Sequence, residues 1–222
     1  GEFFNDFADY DVHVEVPPGY TVATTGVLNS KTTEGGMVDW HFQAENVIDF
    51  AWFTSPAFRH EKYTGVVAGQ NKVDLNVYYD PRDSVLWSKA GVYAARALEF
   101  YSDWLGAYPY QQMSVVSAPL SAGGGMEYPM VAQIGYMEDS ASLDLVIAHE
   151  IGHTWLYGIL ANNERAHPWM DEGLNSFIEA QYTAKYQPAY REAYLPREYT
   201  TRASMDQVDA LQHALHFSNT LQ

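Results

Sequence analysis

The sequence contains no cysteine, which excludes a disulfide framework, a thiolate nucleophile and any sulfur ligand to a metal. A metal in this protein has to sit on histidine, aspartate or glutamate. Basic residues are scarce: 12 Lys and Arg stand against 28 Asp and Glu, a formal net charge of -16. That field repels phosphate backbones and anionic lipid surfaces, so no nucleic-acid partner is expected. Long apolar runs are also missing. Uninterrupted ones such as Phe50 to Phe53 and Leu145 to Ala148 fall far short of the ~20 residues that span a bilayer. The opening GEFFNDFADYDV lacks the basic start and apolar stretch of a signal peptide. No internal repeat or low-complexity tract is visible. What is present is a folding composition: 222 residues, 47% hydrophobic and 18% charged, too apolar for general disorder.

The first eighty residues carry period-two alternation, the mark of half-buried strands. Val12, Val14 and Val16 alternate with His13 and Glu15 before Pro17-Pro18-Gly19, and Val38, Trp40 and Phe42 alternate with Asp39 and His41 after Gly35-Gly36. Further extended runs are Val47 to Phe53 and Val73 to Tyr79. This half reads as antiparallel. From Asp83 the period becomes helical, with Ser84 as cap, Leu86 to Tyr101 on one broad face and Gly106 as stop. A domain boundary near residue 82 follows. Strand character returns at Gln112 to Ala118 and Tyr128 to Tyr136, on either side of Gly123-Gly124-Gly125. Ser140 or Ser142 then opens a helix through Trp155 that weakens at Gly158. Another helix runs from about Asp171 to Lys185, and a helical tail starts at Pro196.

His149-Glu150-Ile151-Gly152-His153 lies inside the helix that Ser140 or Ser142 opens. At 3.6 residues per turn, positions i and i+4 point the same way, so both imidazoles can reach one ion at ~2.0–2.1 Å. Glu150, on the adjacent flank, can take a proton from metal-held water without ligating. Asp171-Glu172-Gly173 opens the next helix, where Glu172 supplies a third, hard oxygen ligand; two histidines and a carboxylate leave zinc an open position for water. The plainer reading of Glu172 is a first-turn acid favoured by the helix dipole. Glu179, two turns on, is placed to accept the second ring N–H of a ligating histidine, or else simply faces solvent. Gly124-Gly125-Met126-Glu127-Tyr128 precedes an edge strand, and with Met, Glu and Tyr after the glycines it is no phosphate loop. His13, His41 and His60 are read as structural, because no spacing converges them. His213 and His216 share a helical face as a solvated pair. The six Trp and seventeen Tyr belong mostly to core and cleft wall.

HEIGH, then DEG with Glu172 nineteen positions after His153, with GGMEY upstream, resembles the gluzincin aminopeptidases of the M1 metallopeptidase family. Their pattern is HExxH, eighteen residues, Glu, preceded by GxMEN. Ala44 to Trp52 resembles the end of that family's amino-terminal β-domain, and Tyr108-Pro109-Tyr110 its approach to the sheet. The resemblance runs from about Phe7 onward. It implies an α+β fold: a β-sheet remnant of the amino-terminal β-domain (1–82), then a thermolysin-like catalytic domain (83–222). It implies one zinc per chain on His149, His153 and Glu172, Glu150 as general base, and Glu179 as an acid beside the ligand shell. Gly124, Gly125 and Met126 correspond to the segment beside the substrate backbone, and Glu127 to the carboxylate that grips a free α-amino group. Tyr128 stands where the motif has Asn. The family's transition-state tyrosine is expected beyond Gln222, so neither Tyr194 nor Tyr199 takes that role, and the large helical carboxy-terminal domain is expected in a longer protein of which this is a fragment.

The activity so implied is zinc-dependent hydrolysis of peptides at a free amino terminus, with peptide substrates as partners and no membrane span. Two readings stay open beside it: an endopeptidase or other gluzincin hydrolase in which Glu127 binds no amine, and a zinc-binding peptide module without turnover. A cysteine-free acidic chain suits periplasmic, secreted or cytosolic life, with the first two slightly favoured.

Overall fold

The computed structural model describes residues 3–121 and 123–190. The helix expected from Pro196, with His213, His216, Tyr194 and Tyr199, lies outside the described residues.

The alternating valines of β1 (Ala8–Val16) and the Val38, Trp40, Phe42 set of β4 (Met37–Val47) face one side of a three-stranded antiparallel sheet completed by β3 (Val27–Glu34), in the order β1-β4-β3. Val14, Val16, Val38 and Phe42 are buried there together with Val22. A second antiparallel ribbon pairs β2 (Thr21–Thr24) with β5 (Trp52–Ser55). The opposite, polar face of the three-stranded sheet brings His13 directly across from His41. Their convergence corrects the sequence reading of scattered histidines, since cross-strand register is invisible to spacing along the chain.

The third sheet positions the site. Its five strands run in the order β6-β7-β8-β10-β9, with β6 (Arg59–Ala68), β7 (Asn71–Tyr79), β8 (Gln112–Ser117), β9 (Gly125–Met126) and β10 (Val131–Ile134). β6 and β9 pair antiparallel at the two edges, while β7, β8 and β10 are parallel. Alternation sorts the side chains: Val73, Leu75, Val77, Tyr79, Met113, Val115, Ala132 and Ile134 face the helices, and Tyr78, Val116 and Val131 face the other way, onto Ala23 and Phe53 of the β2–β5 ribbon. Gln112 ties the ribbon on, its Nε2 donating to the carbonyls of Thr24 (3.0 Å) and Gly26 (2.9 Å).

This sheet runs across the boundary expected at residue 82. Val77 pairs with Val115 and Tyr78 with Val116, so hydrogen bonding and core packing both run across it. The change at residue 82 is from strand to helix within one packing unit, the crossover that a parallel pair requires.

That crossover is α1 (Ser84–Trp87) and α2 (Ala90–Leu105), separate helices where the sequence suggested one. The helix α3 (Ser140–His153) packs on α2 and on β10, and α4 (Glu172–Tyr186) packs on α3. The cap of α3 is Asp139, which accepts from the backbone N–H groups of Ala141 (2.8 Å) and Ser142 (2.9 Å), rather than either serine. Past His153 the helix widens into a π turn over Thr154–Gly158, a distortion that collects at functional sites. Among the described residues no helix is long and apolar enough to cross a membrane.

Candidate metal centre

α3 is buried on most of its surface, and His149 and His153 lie one turn apart where it meets α4. Their Nε2 atoms are 3.0 Å apart, and Glu172 Oε2 stands 3.4 Å from that of His149 and 3.7 Å from that of His153. A tetrahedral ion with bonds of ~2.0–2.1 Å holds its ligand atoms about 3.3–3.4 Å apart. The observed triangle brackets that edge length.

Tautomers sharpen the fit. Nδ1 of His149 is 3.0 Å from Glu179 Oε2, and Nδ1 of His153 contacts the buried carboxylate of Asp171. A carboxylate only accepts, so each Nδ1 carries a proton, and in the neutral imidazole that binds a metal each Nε2 presents a lone pair. Two such lone pairs facing each other at 3.0 Å repel unless an electrophile lies between them. The donor set, two imidazoles and one carboxylate with an open side, suits a divalent zinc ion.

The same shell shifts the ionisation of its members. Burial alone would push the His149 imidazole down, but hydrogen bonds with Glu172 and Glu179 hold it well above its ordinary value. Burial likewise lowers His153, and Asp171 outweighs it. The hydrogen bond with His149 holds the Glu172 carboxyl down at about 2. The ionised carboxylate is the form a metal needs.

A cleft of about 580 Å³ opens over this triangle, lined by Gly124, Gly125, Met126, Glu127, His149, Glu150, His153, Glu172 and Glu179. Every residue singled out from the sequence as part of the site borders it. Gly125 and Met126 form β9, the sheet's edge strand, so their outer backbone groups face away from β10. The Glu150 carboxyl packs on that strand: a methyl at Gly125 would lie 2.5 Å from Glu150 Cδ. Glu127 follows on the same wall, 7% exposed, and its Oε1 is buried without a hydrogen-bond partner. Burial pushes its carboxyl up to about 8, with Glu150 and Asp171 adding to the rise against the pull of His153.

Two residues of the site were missed in the sequence. Asp171 was read only as part of the helix opening, although an acid beside a ligand was a usable signal. Asn175, whose Nδ2 donates to the His149 carbonyl at 2.8 Å, gave no signal at all, because its role depends on how α4 crosses α3. Gly152 makes that crossing possible: a methyl there would lie 2.5 Å from the Tyr101 ring and closer still to Asn175 Oδ1.

Known proteins resemble this chain in sequence or in fold. Aminopeptidase M1-C of Oryza sativa subsp. japonica is 23% identical over 183 residues, 77% of this chain and 21% of the relative. Leukotriene A-4 hydrolase of Xenopus laevis is 31% identical over 87 residues, 38% of this chain and 14% of that protein. The crystal structure of an M1 zinc metallopeptidase from Deinococcus radiodurans superposes with a TM-score of 0.70 at 19% identity, covering 89% of this chain and 46% of that one. A mutant of that enzyme bound to a Tyr-Ser-Ala substrate superposes with a TM-score of 0.66 at 20% identity, over 82% of this chain and 42% of that one. The chain thus spans about a fifth of the Oryza relative and under half of the solved structures. Residues 92–221 match the profile of the peptidase family M1 domain; that span is more than half of its 222 residues, and the chain belongs to peptidase family M1.

Proposed function

We propose that the protein hydrolyses the first peptide bond of peptides with a free amino terminus, as a zinc-dependent aminopeptidase. The observation that carries this reading is Glu127, a buried carboxyl with an unpartnered oxygen on the wall that faces the His149, His153 and Glu172 triangle. Ionising such a group in a dry site is costly unless a cation stands opposite it. The protonated α-amine of a peptide is that cation, and it is anchored one residue's length from the bond to be cut. The edge of β9 offers backbone groups to the substrate main chain, which then adds to the sheet as a further strand.

His149, His153 and Glu172 would hold the zinc, with Asp171 and Glu179 fixing the imidazoles so that each Nε2 faces it. Zinc, when bound, supplies Lewis-acid polarisation of the carbonyl and lowers the pKa of water towards ~7. Glu150, 5% exposed beside this cluster, takes the proton of the attacking water and returns it to the leaving amine. The names of the Oryza aminopeptidase and of the neighbour bound to Tyr-Ser-Ala support the peptide reading.

The test is a comparison of one peptide with free and with acetylated amino terminus, using the full-length protein and its Glu127→Ala variant. Selective cleavage of the free peptide, lost in the variant while zinc content is kept, is expected. Equal cleavage of both forms by the unaltered enzyme would overturn the aminopeptidase reading in favour of an endopeptidase. Bound zinc with no turnover of either peptide would leave a peptide-binding module.

A further inference from the structure

The polar face of the three-stranded sheet carries a second cluster of metal-binding side chains, unconnected with the cleft. On β1, Asp11 and His13 are two residues apart and share a face, as do Asp39 and His41 on β4. The antiparallel register sets His13 opposite His41 and Asp11 opposite Gln43. The two imidazoles stack with centroids 4.2 Å apart and planes within 5°. Asp11 Oδ1 lies 2.8 Å from His41 Nε2 and 3.9 Å from His13 Nε2. One ligand atom from each of the three residues falls within 4.8 Å of the others.

The two imidazoles are wired differently: His41 Nε2 lies 2.8 Å from Asp11 Oδ1 and carries a proton that a bound metal would displace. His13 Nδ1 is 2.8 Å from Asp39 Oδ2, so the proton sits on Nδ1 and the lone pair on Nε2, the nitrogen nearer Asp11. His41 Nδ1 is 3.1 Å from the amide of Asn29, a side chain that serves as donor or acceptor according to its flip. Neither Asp11 nor Asp39 forms an ion pair with a Lys or Arg among the described residues. Two carboxylates and two imidazoles therefore meet on one surface without a protein cation.

We propose that His13 Nε2, His41 Nε2 and Asp11 Oδ1 form a second divalent transition-metal site, with water completing the coordination and Asp39 orienting His13. Imidazole donors select the zinc, nickel and copper group over calcium or magnesium, which take oxygen ligands. The side chains of His13 and Asp11 are 55% and 59% exposed, so the His13 ring has solvent beside it; binding requires it to tilt out of the stack while Nδ1 keeps Asp39, and His41 Nε2 to give up its proton. A bound ion would link β1 to β4 across the sheet and resist their separation.

The experiment uses the full chain without an affinity tag, stripped by chelator and titrated with zinc by calorimetry, with metal content counted independently. Two equivalents per chain are expected, falling to one in the His13→Ala/His41→Ala variant with peptidase activity unchanged. The His149→Ala/His153→Ala variant should also keep one. In that background, zinc should shift the imidazole NMR resonances of His13 and His41. One equivalent in the unaltered chain, or a second equivalent that survives loss of His13 and His41, would overturn the proposal. If the double variant does not fold, Asp11→Asn replaces it; at least a tenfold weaker second equivalent is expected, and undiminished affinity overturns the site. Loss of peptidase activity bears only on the buried centre, so the two readings fail separately.

Discussion

Tyr182 on α4 donates its hydroxyl to Oδ1 of Asp144 on α3 at 2.7 Å, and this bond sits in a charged knot that joins the two halves of the metal centre. The other oxygen of Asp144 takes the Arg96 guanidinium from α2, and Arg96 Nε donates to the same Tyr182 hydroxyl at 2.9 Å. The guanidinium also lies 4.5 Å over the Tyr186 ring. Asp144 is fully buried. Arg96→Met should therefore cost about 3–5 kcal/mol, because it strands a buried carboxylate, and Tyr182→Phe about 1–3 kcal/mol. Replacing both charges, as Arg96→Met with Asp144→Leu, should recover much of the loss. Urea unfolding of the three variants decides it; costs that simply add would show that the groups do not act as a unit.

Asp171→Asn and Glu179→Gln each remove a carboxylate that holds a histidine Nδ1. Each should weaken zinc binding by about 10- to 100-fold without removing a ligand, and His153→Ala should weaken it further. Calorimetric zinc titration is the measurement, and an unaltered affinity in Asp171→Asn would show that His153 needs no such support.

Two glycines next to the site should fail in different ways. A methyl at Gly152 drives into Asn175 and the Tyr101 ring, so Gly152→Ala should lower stability by about 1–3 kcal/mol or more through overpacking. The atoms nearest a methyl at Gly125 all belong to the Glu150 side chain. Gly125→Ala should leave folding and zinc affinity intact while displacing the proposed base, with a loss in turnover of about 100-fold. Equal effects of the two substitutions on unfolding midpoints would contradict this division.

Glu127 links stability to pH in the metal-free chain. Its carboxyl is pushed from the ordinary 4.5 up to about 8 in the folded protein. Between those values the folded chain holds a proton that the unfolded chain has lost, so stability falls as pH rises, by at most ~1.4 kcal/mol per pH unit. Glu127→Gln removes the titrating group. Chelator-treated Glu127→Gln should be more stable than the parent at pH 8 and lose that advantage as the pH approaches 4.5, in urea unfolding followed at both values. A difference that does not change with pH would place Glu127 in a wetter setting than the structure shows.

Which features were legible in the sequence follows from how far their causes reach along the chain. His149 and His153 share a face because four residues make about one helical turn, and the valines of β1 share a face because strands alternate. Glu150 is equally local, but the edge position of Gly125 is not: the sequence set these glycines before an edge strand, whereas they form the edge themselves and the following strand, β10, lies inside. Glu172 needed only the start of the next helix. Asp171 left only the signal of an acid beside a ligand, while Asn175 and the Arg96–Asp144–Tyr182 knot were not legible, since each depends on the angle and height at which α4 crosses α3, and Gly152 permits that crossing through contacts with residues far away in the chain. That one sheet runs across residue 82 was hidden for the same reason: the parallel pairing of β7 with β8 joins segments separated by two helices. By itself the sequence determined the helix and strand periods of the principal elements, the donor types and the spacing of the histidine clamp, all set by backbone periods a few residues long. Only the tertiary structure decided that Glu127 keeps an unpartnered oxygen and that His13 meets His41, because strand register and helix crossing are settled by packing between distant segments.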